Sequence, residues 1–87
     1  MDIAALAEQE VANLAPRLDA ALAEWLSELV DAGEPEQAMI GLVENAPEAV
    51  SVGLAAQIEE AFVPGTSFRP VALKALARFR ERQLVTA

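Results

Sequence analysis

The chain has no cysteine, no histidine and no tyrosine, a single tryptophan and a single lysine, Lys74. Without cysteine there is no disulfide framework and no thiolate metal site. Without histidine the commonest general base and the commonest metal ligand are missing, and so are the Ser-His-Asp and Cys-His catalytic arrangements. Glycine is sparse, and its four copies (Gly33, Gly41, Gly53, Gly65) are too scattered for a phosphate-cradling loop. No apolar run approaches the ~18 residues that would span a bilayer. The opening Met1-Asp2-Ile3, soon followed by Glu8 and Glu10, does not read as a secretory signal. These absences set the expectation of a cytoplasmic protein with no cofactor and no metal, which is not an enzyme and does not engage a membrane.

What remains is apolar and acidic. Of the 87 residues, 54% are hydrophobic, enough to bury one small core but not two. A single helical domain over 1–87 is expected. The net charge of −8 hides a split. Residues 1–65 hold 13 acids and one base, Arg17, a net of −12. Residues 66–87 hold five bases (Arg69, Lys74, Arg78, Arg80, Arg82) against Glu81, a net of +4. Such asymmetry hints at a charged partner, or at a basic C-terminal helix lying on its own acidic body.

Helical periodicity dominates. Residues 3–32 are rich in Ala, Leu and Glu, all good helix formers. An apolar ladder runs Ile3, Ala7, Val11, Leu14, Leu18, Leu22, Trp25, Leu29 in steps of three and four. Asp2 is an N-cap candidate, and Gly33 stands where a left-handed residue ends a helix. Pro16 interrupts the segment at a cost of ~3 kcal/mol if it lies in a helix interior. Because the ladder keeps its phase across Pro16, the sequence favours one long helix kinked there. The alternative is a break with a new helix after it, for which Asn13 is a candidate cap.

Pro35 suits the first turn of a helix over Pro35–Asn45, burying Met39, Leu42, Val43 and Ala46. Pro47 starts another over 47–62, with Val50, Leu54, Ile58 and Phe62 on one face. Gly41 and Gly53 both fall inside helices, where each costs ~1 kcal/mol against alanine, so close backbone packing is the expected reason for them. Val63-Pro64-Gly65-Thr66-Ser67 is a loop, with Thr66 or Ser67 available to cap a last helix over 68–84. In that helix Val71, Ala72, Ala75, Leu76 and Phe79 are expected to face inward, and Lys74, Arg78 and Arg82 outward. The expected fold is therefore all-α, a compact bundle of four to five helices.

Chemistry-bearing arrangements are few. Glu8/Glu10, Glu34/Glu36 and Glu59/Glu60 are too close in sequence to face each other on a helix. Glu24 and Glu28 do share a face, where a solvated acidic surface is the plainer reading than a cation site. The stretch from Ser51-Val52-Gly53 to Ile58-Glu59-Glu60-Ala61-Phe62 resembles, distantly, the second helix of acyl carrier proteins, which are small, acidic and helical. That family attaches phosphopantetheine to the serine of an Asp-Ser-Leu motif at a helix start. Here Val50 precedes Ser51, Pro47 puts Ser51 inside the expected helix, and the spacing to the Glu-Glu pair is about a turn short. A carrier role would require a covalent group on Ser51, and no family assignment is made.

The strongest functional pattern is the apolar width of the first segment. Leu6, Leu26 and Val30 form a second line beside the ladder, so Leu22, Trp25, Leu26, Leu29 and Val30 make a broad surface that neighbours or another chain must cover. Trp25 itself has the spacing of a core residue rather than an interface anchor. The expected role is a non-enzymatic protein-interaction module: a small adaptor, an inhibitor or an oligomeric structural subunit. The alternative is a nucleic-acid-binding protein contacting phosphates through Lys74, Arg78 and Arg82. A body of net −12 and a pI near 4.3 oppose that alternative.

Overall fold

Each helix begins and ends for a local reason. In the computed structural model, which describes the backbone of residues 2–86 and the side chains of residues 2–84, the Asp2 carboxylate accepts from the Ala5 N–H at 2.8 Å. This cap starts α1 (Ile3–Leu14). Pro16 then ends it. The chain tightens into a 3₁₀ turn (Ala15–Arg17), runs extended at Leu18, and restarts at Asp19. The Asp19 carboxylate accepts from the N–H groups of Ala21 and Leu22 at 3.1 and 3.3 Å, capping α2 (Ala20–Asp31). The expected kinked helix is thus two helices. A missing donor and a ring clash make the continuous helix costly, and a capped restart avoids both. Asn13 caps nothing; its amide donates to Glu10.

Gly33, at φ 77°, closes α2. The Glu34 N–H donates to the Leu29 carbonyl and the Gly33 N–H to that of Val30, the two bonds of a Schellman motif. Pro35 opens α3 (Pro35–Asn45), as the sequence predicts. α3 is the centre of the molecule and packs against α1, α2 and α5. Its six residues from Ala38 to Val43 are all buried, so this helix has core on most of its circumference.

The expected helix over 47–62 is shorter than its pattern. Residues Pro47–Ala49 form a 3₁₀ turn and Val50 is extended. Ser51 is the N-cap of α4 (Val52–Ala61), its hydroxyl accepting from the Leu54 N–H at 3.0 Å. Ser51 is therefore at a helix start, not inside one. Val50, Leu54, Ile58 and Phe62 are all buried, as their spacing predicts. The following loop turns at Gly65, φ 95°, where the Thr66 hydroxyl donates to the Val63 carbonyl.

α5 (Arg69–Thr86) buries Ala72, Ala75, Leu76 and Phe79. Val71 was expected with them but is 48% exposed. It lies in the first turn, where Ala72 takes the inward position and Val71 is rotated away. One cluster joins Leu6, Val11, Leu14 and Leu26 to Met39, Leu42, Ile58, Phe62, Leu76 and Phe79. No strand occurs among the described residues. The architecture is the all-α bundle the sequence predicts, with five α-helices among the described residues.

Candidate interaction surface

The break at Pro16 decides which side of α2 meets the core. α1 buries Leu6, Ala7, Val11 and Leu14, while α2 buries Leu26 alone. The ladder that keeps its phase in sequence does not keep it in space. The 3₁₀ turn and extended Leu18 rotate α2, so Leu26 points inward and Trp25 does not. Trp25 is 44% exposed, which corrects its expected core placement.

The indole is held by its neighbour. A Cβ placed on Gly41 of α3 would lie 2.7 Å from Trp25 Cζ3, 2.9 Å from Cη2, and 3.3 Å from Leu26 Cδ2. Only glycine lets α3 approach the ring this closely. Gly41 is buried beneath it, and the Asn45 side-chain amide donates to the Gly41 carbonyl at 2.9 Å. The residue nonetheless stays 44% exposed. Gly53 has no such role: the nearest atom to a Cβ there is Ser51 Oγ at 3.9 Å.

The five residues assigned to the apolar surface therefore divide. Leu26 is fully buried at 0% and cannot touch a partner while the core is closed. Leu22, Leu29 and Val30 are half-buried, and Leu22 and Val30 pack against the core. Trp25 is the exposed member. Glu28 lies one turn beyond Trp25 on α2. Glu44, one turn beyond Gly41 on α3, lines a small cleft of about 60 Å³ with Arg78 and Arg82 of α5. Gly41 and Glu28 are the members of this surface that periodicity missed. The signal available was the buried glycine in mid-helix, which marks a close approach without naming what approaches.

The basic helix is partly committed to its own chain. Arg80 pairs with Glu59 at 2.6 Å. Arg69 Nε donates to the Phe62 carbonyl at 2.8 Å, satisfying the end of α4. These contacts line a groove of about 410 Å³ with Ala56, Glu60 and Pro64. Lys74, Arg78 and Arg82 are all exposed, on the outward side that the sequence predicts. Among the described residues neither Lys74 nor Arg78 has an ion-pair partner. An apolar groove of about 460 Å³, lined by Val52, Ala55, Phe79 and Leu84, opens between α4 and α5.

Compared with known proteins, the chain matches no family model, no curated protein and no solved structure. The structure removes one departure from the acyl-carrier pattern by placing Ser51 at a helix start. The residue before it is still Val50, and its hydroxyl is engaged as a cap. No group of three or more acidic side chains suited to a metal ion occurs among the described residues. No described helix is long and apolar enough to cross a membrane.

Proposed function

We propose that this chain is a non-enzymatic protein-interaction module, a small adaptor, inhibitor or oligomeric structural subunit, working through the α2 face around Trp25. The observation that carries this reading is the exposed indole seated on Gly41. A large aromatic side chain held in one place presents contact area at little cost in conformational freedom, which is what interface anchors do. The half-buried Leu22 and Leu29 extend the apolar patch, and the surrounding carboxylates set orientation and partner choice. A cytoplasmic setting belongs to the same proposal.

The test is capture from source lysate with tagged wild-type, Trp25→Ala and Glu28→Lys proteins, each with and without nuclease. A stoichiometric protein band that survives nuclease and is lost in both variants is the expected result. Binding that disappears with nuclease and with charge reversal at Lys74 and Arg78, while Trp25→Ala leaves it intact, would replace this reading with nucleic-acid contact through α5. Such contact would weaken steeply with salt.

A further inference from the structure

Trp25 and Glu28 stand one turn apart on α2, so their side chains leave the helix as neighbours. Both are exposed. The indole is seated against Gly41, which limits where it can turn. Glu28 has no hydrogen-bond or ion-pair partner among the described residues. An aromatic ring held in place beside a free carboxylate suits one side chain above others. Arginine can stack its flat guanidinium on the ring while an N–H edge of the same group donates to the carboxylate. Lysine, a compact charge on a flexible stem, does not offer that two-sided fit.

The chain's own arginines are engaged or placed elsewhere. None occurs in residues 18–68, and no lysine either, a stretch that includes all of α2, α3 and α4. Arg17 lies in the turn before the Asp19 cap. On α5, Arg69 donates to the Phe62 carbonyl, Arg80 pairs with Glu59, and Arg78 and Arg82 line the cleft that holds Glu44. The main contacts of α2 are with α1 and α3, and those of α5 are with α3 and α4. The place beside Trp25 and Glu28 is thus left for an arginine from outside.

The surroundings describe the segment that would carry it. Leu22 and Leu29 flank Trp25 at steps of three and four and are half-buried, so they add an apolar line along α2. Glu24, also exposed, adds a second carboxylate on the polar side of the helix. Resting on the interaction reading above, we infer that the Trp25 face receives a basic amphipathic helix of a different protein, whose arginine stacks on Trp25 and donates to Glu28. Its apolar residues lie on Leu22 and Leu29, and a further base faces Glu24. The net −12 of residues 1–65 draws a partner of this sign and turns acidic ones away.

The experiment titrates the full chain into a labelled synthetic amphipathic helix that carries arginine at its basic positions and leucine on its apolar face. Fluorescence anisotropy of the label reports binding, and emission of Trp25, the only tryptophan, is read in parallel. The same helix with lysine at every arginine position is expected to bind about five- to tenfold more weakly, and the version with glutamate not at all. Binding is expected to weaken with salt. Trp25→Leu and Glu28→Gln, each checked for native helicity, are expected to lose the preference for arginine over lysine. Their effects are expected to be coupled in a double-mutant cycle, because one guanidinium serves both. Equal affinity for the arginine and lysine helices overturns the inference. So does an arginine helix that fails to bind, or one that binds Glu28→Gln as tightly as wild type. If the arginine helix fails but a lysate protein is still captured through Trp25, only the basic partner is excluded; if neither is held through Trp25, the interaction reading fails with it.

Discussion

The Trp25 indole fills the space where any side chain at position 41 would begin, so these two residues form a matched pair across α2 and α3. Adding one methyl group at Gly41 forces the ring, and with it α2, to move. Gly41→Ala is expected to destabilise the protein by about 1–3 kcal/mol, as overpacking does. In a Trp25→Ala background the same change is expected to cost far less. There only the 3.3 Å contact with Leu26 remains, and alanine recovers about 1 kcal/mol of helix propensity. A double-mutant cycle by denaturant unfolding measures the coupling; equal costs in both backgrounds would show that the two residues act separately.

Gly53 provides the contrast. It sits in the first turn of α4 with open space around it and ordinary backbone angles. Gly53→Ala is expected to stabilise by about 0.5–1 kcal/mol through helix propensity and a less flexible unfolded chain. Gly33→Ala is expected to destabilise, because φ 77° disfavours a side chain. The two midpoints should move in opposite directions in urea.

The two arginine contacts of α5 differ in strength. The Arg80–Glu59 pair is 49% and 39% exposed, so Arg80→Ala is expected to cost about 0–1 kcal/mol, and less in high salt. Arg69 donates to a carbonyl in a partly buried site, and a charged hydrogen bond of that kind contributes about 1.5–3 kcal/mol. Arg69→Ala is expected to be the more costly change, with the weaker salt dependence. Thermal unfolding at two salt concentrations ranks them.

Asp19 and Ser51 each cap a helix that follows a proline-induced break. Alanine at either position is expected to cost about 0.5–2 kcal/mol. Asparagine at 19 is expected to restore most of the loss, since its side-chain oxygen can accept the same bonds. Circular dichroism through the unfolding transition gives both values.

Much of the fold is legible in the residue order. Pro35 and the apolar spacing after it place α3 and its buried Met39, Leu42 and Val43 correctly. The Val50, Leu54, Ile58, Phe62 face is likewise buried. The first segment is where reading along the chain fails. A ladder counted across Pro16 assumes one continuous rotation, and three residues of tighter helix plus one extended residue cancel that assumption. The exposed indole follows from that local geometry, which no periodicity records. Val71 fails for a related reason, because a four-residue apolar spacing does not say which of two adjacent residues in a first turn points inward.

The absence of lysine and arginine from residues 18–68 has a consequence for digestion by trypsin. Arg17 is exposed in the turn between α1 and α2, and the next basic residue, Arg69, is followed by Pro70, a bond that trypsin cuts poorly. Lys74 is the next ordinary site. The enzyme therefore meets a single accessible bond ahead of α5. Its cut there severs α1, with Leu6, Val11 and Leu14, from the core those residues complete, and residues 18–74 remain as one uncut piece.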